Sequence, residues 1–205
     1  MKFGVIVADP PWSFDDRLKK MKAKTKRSAV SQYETMTLDE ICSVDVRSVS
    51  DPEGCVLALW VPSSLLSYGL TVMSAWGYVQ KQTYVWVKQS EEGKLGFGMG
   101  RIFRQSHEIA LIGTSGKTVY AGLENKSQRS VLVSPSLGHS TKPEGLQDSL
   151  ELMWPNVNKL EMFARRHRLG WTCLGDEIDG QDIRSSIRAL TSGVESKEDV
   201  KEKST

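Results

Sequence analysis

Phe3-Gly4-Val5-Ile6-Val7-Ala8 runs straight into Asp9-Pro10-Pro11-Trp12. The first six residues are almost continuously apolar and rich in Val and Ile, the pattern of a strand buried on both faces of a parallel sheet. The two prolines end it, because neither can donate a ladder hydrogen bond. A strand that stops this way leaves Asp9 at the carboxyl end of the sheet, where open α/β sheets bind their ligands. Working outward, residues 55–61 read as a second buried strand, residues 79–88 as a third and residues 107–113 as a fourth. Residues 159–163 and 171–174 add two short ones. Thr37-Leu38-Asp39-Glu40 is a capping box that should open a helix of about three turns. Ser63 can cap a helix running to about Trp76, and Pro143 suits the first turn of one running to about Met153. A last helix is expected from about Gln181 to Leu190. Strands alternating with helices predict an α/β fold with a doubly wound, mostly parallel sheet.

A chain of 205 residues holds one well-cored domain. We place it at residues 1–190, with a basic loop at 13–32 inserted after the first strand. Residues 191–205 form a charged tail expected to be disordered. Trp60, Trp76, Trp86 and Trp171 lie in apolar segments and read as core. Residues 93–100 carry four glycines in eight, but lead into a strand and not a helix. They read as a mobile loop, not a phosphate cradle. Cys42, Cys55 and Cys173 are odd in number and far apart, which argues against a disulfide framework and a zinc site, so no metal is expected. No apolar run approaches the roughly 18 residues of a membrane span, and the N-terminus is unlike a signal peptide, so a cytoplasmic protein without membrane contact is expected.

The net charge of +2 hides an uneven distribution. Arg17, Lys19, Lys20, Lys22, Lys24, Lys26 and Arg27 are seven positive charges in eleven residues, and without them the chain would stand at −5. Attraction for a polyanion is thus concentrated just behind Asp9, although a charge run of this kind is also what a solvated loop looks like. These seven residues are the candidate nucleic-acid contacts, joined by His107 and Glu108 at the start of the fourth strand. The latter pair can face a target base or simply satisfy neighbours. Asp9, Pro10, Pro11 and Trp12 are the candidate catalytic residues. The Asp9 carboxylate and the Pro10 carbonyl are two acceptors suited to the two N–H bonds of an aromatic amine, and the paired prolines restrict where that carbonyl points. Trp12 offers a ring on which a base can stack, or else a core anchor for the turn.

Several further segments carry a resemblance. Ala8-Asp9-Pro10-Pro11-Trp12, Tyr33 through Ile41, Leu57 through Val61, Trp86-Val87-Lys88, Arg104 through Glu108, Asn125 through Ser130, His139 through Glu144, and Lys159 through Glu177 occur in the order found in the DPPW adenine-N6 methyltransferases, the MT-A seventy family. The chain resembles that family from about Val5 to Gly180. The resemblance implies a Rossmann-like methyltransferase fold dependent on S-adenosylmethionine (SAM), with the catalytic loop preceding the cofactor segments. It implies that Lys142 meets the SAM carboxylate and Asp9 its amino group, with Glu161, Arg165, His167, Asp176 and Glu177 as further cofactor contacts and Arg168 alongside. Asp176 stands where the family usually has an amide. The chain begins too close to Asp9 for the upstream acidic residue some members use on the adenine ring, so residues 179–183 are expected to serve instead. The loop at 134–141 is expected to close over substrate. The expected activity is adenine-N6 methylation of a polynucleotide, with DNA favoured over RNA and a homodimer compatible with it. A catalytically silent nucleic-acid-binding scaffold is the competing class, which intact Asp9, Trp12 and Lys142 argue against.

Overall fold

The computed structural model describes residues 1–13, 35–100, 102–136 and 141–192. The basic segment from Arg17 to Arg27, residues 137–140 of the 134–141 loop, and the tail beyond 192 lie outside the described residues.

A seven-stranded sheet organises the chain. Its strands are β1 (Val5–Ala8), β2 (Gly54–Val61), β3 (Val79–Lys88), β4 (His107–Gly116), β5 (Val131–Ser134), β6 (Lys159–Met162) and β7 (Thr172–Leu174), in the order β5-β3-β4-β2-β1-β6-β7. The apolar run that opened the sequence takes the interior position it predicts. β1 is buried along its length and pairs in parallel with β2 on one side and β6 on the other. Because side chains alternate across a strand, β1 feeds two cores. Ile6 and Ala8 join Leu57, Leu59 and Val61 beneath α1 (Leu38–Cys42), α2 (Leu66–Ala75) and α5 (Ile183–Ser192). Val5 and Val7 join Val56, Ala58 and Trp60 beneath α3 (Gly145–Met153). Helices on both faces make the fold doubly wound. Trp60, Trp76 and Trp86 are each 1% exposed, as their apolar surroundings predict. Among the described residues no helix is long and apolar enough to cross a membrane.

β4 runs antiparallel to both β2 and β3, the exception in an otherwise parallel sheet. Its first residues therefore lie at the edge where β1, β2 and β3 end. That reversal brings His107 and Glu108 to the same edge as Asp9.

The elements differ from expectation where local signals were incomplete. The capping box forms, with Thr37 Oγ1 accepting from the Glu40 N–H and the Glu40 carboxylate accepting from Thr37. Yet α1 lasts five residues, not three turns. The chain leaves it at Ser43 so that Val44, Val46 and Val49 can all enter the core around a 3-10 turn at Val46–Ser48. Ser63 does not cap the next helix. It opens a 3-10 turn at Ser63–Leu65, and α2 starts at Leu66 without a side-chain cap. β5 and the short α4 (Asp176–Asp179) were not expected. β5 is an edge strand with only every second residue half-covered, too short and too exposed to show a periodic signal.

Candidate active site

At the end of β1 the prolines turn the chain sharply. The Pro10 carbonyl accepts from the Trp12 N–H at 2.9 Å, and the Pro11 carbonyl accepts from the Met36 N–H at 2.9 Å. Ser13 donates in turn to the Met36 carbonyl at 3.1 Å, so the chain before and after residues 14–34 is bridged at Trp12 and Met36. This bridge holds the turn at residues 9–12 next to α1. Trp12 is the anchor. Its indole N–H donates to the Trp60 carbonyl at 3.0 Å, and the ring is 7% exposed within the core beneath α1 and α2. The stacking face expected of Trp12 is therefore turned inward: its ring sets the loop's shape and has little surface left for a base. Pro10 is buried as well, with one lone pair of its carbonyl engaged and the other free to accept.

Asp9 is held from the opposite side. Lys142, two residues ahead of the α3 turn, donates to both carboxylate oxygens of Asp9, at 3.0 and 2.8 Å. The same ammonium reaches Glu108 at 3.2 Å and lies 5.6 Å from the centre of the Trp60 ring. Glu108 also pairs with Lys88, whose ammonium sits over Trp86. The result is a partly buried chain of alternating charge, Lys88–Glu108–Lys142–Asp9, across the ends of β3, β4 and β1. Burial opposes the charge on Lys142, but Asp9 and Glu108 outweigh it and hold its pKa above the ordinary lysine value. Burial likewise opposes ionisation of Glu108, and the two lysines outweigh it, holding its pKa below the ordinary carboxylate value. Glu108, expected to face a base, is thus committed to two lysines. His107 is half-buried at the same strand start.

Beside Asp9 opens a cleft of about 440 Å³. Asp9 and Pro11 form one wall, Phe163, Ala164 and Arg165 the second, and Gly175, Asp176 and Glu177 the third. Arg165 and Glu177 face each other across 3.6 Å. Gln181, Asp182 and Ile183 add to the lining, within the 179–183 stretch singled out from the sequence. Close backbone approach shapes the floor. Ala164 donates to the Leu174 carbonyl at 2.8 Å, and a Cβ on Gly175 would lie 2.3 Å from the Ala164 oxygen, so only glycine fits. Phe163 turns through φ 61°, rare for a side chain of its size. Thr35, Met36, Glu40, Phe163 and Arg184 also line the cleft and were missed from the sequence. Glu40 is read from the sequence as a capping residue within the family-like segment Tyr33 through Ile41 and not as a site residue, and nothing local marks the Phe163 bend.

The remaining expected cofactor residues lie outside this cleft. Glu161, on β6, faces the same side of the sheet as Val7. There Gln147 of α3 donates to it at 3.3 Å, and burial pushes its carboxyl above the ordinary range. His167 is exposed in the β6–β7 loop. Arg168 is only 13% exposed and donates to Glu144, Asp148 and Glu151, one turn apart along α3, while Trp171 donates to Glu151 at 2.6 Å. The Arg165–Arg168 run is therefore divided: its first member lines the cleft and its last clamps α3.

A doubly wound sheet with an acidic residue after β1 and a carboxylate-lined cleft beside it is the arrangement of a Rossmann-like fold with its ligand site at the carboxyl ends of the strands, which is consistent with a methyltransferase. The family described as MT-A70 matches residues 3–177, and the chain belongs to it. Among its relatives, N(6)-adenosine-methyltransferase MT-A70-like of Arabidopsis thaliana is 29% identical over 91% of this chain and 25% of that protein. The type II methyltransferase M.MunI of Mycoplasma sp is 28% identical over 89% of this chain and 80% of that protein. The human N(6)-adenosine-methyltransferase catalytic subunit METTL3 is 27% identical over 87% of this chain and 29% of that protein. The chain thus spans about a quarter of the length of its plant and human relatives and most of the length of M.MunI.

Proposed function

We propose that this protein transfers the methyl group of SAM to the N6 amine of adenine in a polynucleotide, with DNA as the preferred substrate. The carrying observation is the position of Asp9, which lines the cleft and is gripped on both oxygens by Lys142. The residues present suit SAM. A cleft of about 440 Å³ falls in the usual range for small-molecule sites. Asp176 and Glu177 are acceptors for ribose hydroxyls, and the three donors of the Lys142 ammonium face Asp9 and Glu108, so a cofactor carboxylate would take the place of one of those contacts. Arg165 and residues 181–183 lie where the nucleoside end would be held. The bound cofactor supplies an electrophilic methyl group.

The chain's own part is to prepare the amine. The N6 lone pair of adenine is delocalised into the ring, so the nitrogen must be drawn toward tetrahedral geometry. Asp9 accepts one of its N–H bonds and the Pro10 carbonyl the other, and Asp9 is the acceptor for the proton lost after methylation. Trp12 and the Met36 bridge hold both acceptors in place, which is where positional catalysis resides. Lys142 keeps Asp9 oriented, and Glu108 keeps Lys142.

The DNA preference rests on M.MunI, matched over most of both chains, whereas the adenosine methyltransferases are matched over a quarter of theirs. The test is methyl transfer from labelled SAM to matched single- and double-stranded DNA and RNA, with the methylated base identified by mass spectrometry. We expect N6-methyladenine in DNA, and loss of it by at least a hundredfold in Asp9→Ala, in keeping with the roughly 10²–10⁴-fold worth of a positioned proton acceptor. An active Asp9→Ala protein would refute the mechanism. Methylation of RNA alone would move the substrate and leave the chemistry standing.

A further inference from the structure

Between β3 and β4 the chain leaves the sheet at Lys88 and returns at His107, on the edge that carries Asp9. The excursion is a thin hairpin. Gly96 donates to the Lys88 carbonyl at 2.7 Å, and Gly98 and Gln105 exchange hydrogen bonds at 3.0 and 3.3 Å. Its sequence, Leu95-Gly96-Phe97-Gly98-Met99-Gly100, alternates large apolar residues with glycine. The glycines take the crowded side: a Cβ would lie 2.9 Å from Lys88 Cβ at Gly96, and 2.6 Å from the Gln105 oxygen at Gly98. The large side chains are left to solvent, with Phe97 79%, Met99 94%, Ile102 90% and Phe103 86% exposed. Large apolar side chains left exposed this close together in one hairpin mark a contact site. Arg104 covers one face of Phe97, its guanidinium carbon 4.8 Å from the ring centre.

We infer that this hairpin is the surface on which nucleobases flanking the target adenine stack. The inference rests on the polynucleotide reading above and extends it to a second contact. Position is the first argument. Lys88 and Glu108, at the two feet of the hairpin, belong to the charged chain that ends at Asp9, so a polymer presenting adenine to Asp9 passes over this edge. Chemistry is the second. A ring backed by a guanidinium, with its other side in solvent, is the stacking platform used for unpaired bases. Where the target lies in a duplex, the base must leave the stack, and large apolar side chains fill such gaps. Charge is the third. Lys94 is paired with Glu92 and the Arg104 guanidinium lies over Phe97, so both described cations of the hairpin are engaged and the apolar rings are its exposed feature.

The experiment compares the full chain with Phe97→Ala/Phe103→Ala, both positions being exposed enough to leave the cores intact. Binding to a fluorescein-labelled, adenine-containing oligonucleotide is followed by anisotropy across a potassium chloride series, on single- and double-stranded DNA and on RNA. The dissociation constant should rise about 5- to 150-fold for each base that loses its stacking partner. The slope of log affinity against log salt should stay that of the parent, because no phosphate contact is lost. SAM affinity should be unchanged, and Phe97→Trp/Phe103→Trp should bind as the parent does. A weaker effect on duplex than on single strands assigns the hairpin to unpaired bases, and the reverse assigns it to the gap in a duplex. Parent-like affinity of the alanine variant overturns the inference while leaving the methyltransferase reading intact. If in addition the parent sediments as a dimer and the variant as a monomer, the surface belongs to a second copy of this chain. A parent that binds none of the polymers ends both readings.

Discussion

Glu108 shows how one side chain is given its task by neighbours that are distant in sequence. It is a carboxylate at a strand start, and only the pairing of β4 with β2 and β3 places it between Lys88 and Lys142. Its pKa is held down in the folded protein, so its contribution to stability is complete above the ordinary carboxylate value of about 4.3 and is lost as the pH falls through the lower folded value. Glu108→Gln should therefore cost roughly 1–3 kcal/mol near neutral pH, where two partly buried ammonium groups lose a counter-charge. The loss should shrink on acidification below about pH 4, as the parent's own carboxyl becomes neutral. Urea unfolding at a series of pH values measures both. A cost that grows toward acid would place Glu108 outside the lysine network.

Element by element, α3 is the part of the fold that follows directly on the lysine holding Asp9. Lys142 and Pro143 precede it, so any shift of the helix moves the ammonium that holds Asp9. Its register is kept by Arg168, which reaches across from the β6–β7 loop to Glu144, Asp148 and Glu151. Those carboxylates are well exposed and worth little singly, but one nearly covered guanidinium serves all three. Arg168→Ala should lower unfolding stability by about 1–2 kcal/mol and weaken SAM binding through Lys142. Arg168→Lys should recover little of either, since a point charge cannot bond three acceptors in a plane. Denaturant titration and calorimetry test the pair of effects. An Arg168→Ala protein of unchanged stability would remove the clamp from this account.

At the scale of the whole molecule, two kinds of contact with a polyanion are expected at one edge. The basic segment lies outside the described residues, but the chain on either side of it is bridged at Trp12 and Met36, beside the cleft. If Lys19, Lys20, Lys22, Lys24 and Lys26 neutralise phosphates, replacing all five with glutamine should flatten the salt dependence by about 0.9 in log–log slope for each duplex phosphate lost, or about 0.7 for single strands. The variant should bind SAM as the parent does. The hairpin variant should show the opposite pattern, with lower affinity at an unaltered slope. Anisotropy titrations at several salt concentrations separate the two. An unchanged slope in the lysine variant would make the segment a solvated loop.

The sequence by itself determined the sheet's centre, the place of Asp9 and the order of the elements. Each rests on local information: an unbroken Val/Ile run can only be buried on both faces, two prolines can only end a ladder, and Thr37 with Glu40 caps a helix within four residues. It also marked residues 179–183, of which Gln181, Asp182 and Ile183 line the cleft. The roles of Trp12, Glu108 and Arg168 were decided by tertiary structure alone. An indole can serve equally as a stacking platform or a core anchor until Trp60 supplies an acceptor beneath it. A carboxylate can face a base or a lysine until an antiparallel strand chooses its neighbours. The bend at Phe163 had no local signal, because its conformation is imposed by the close contact of Ala164 with Leu174 and Gly175 across two strands. Local chemistry restricts what a residue can do, and long-range packing selects which of those things it does.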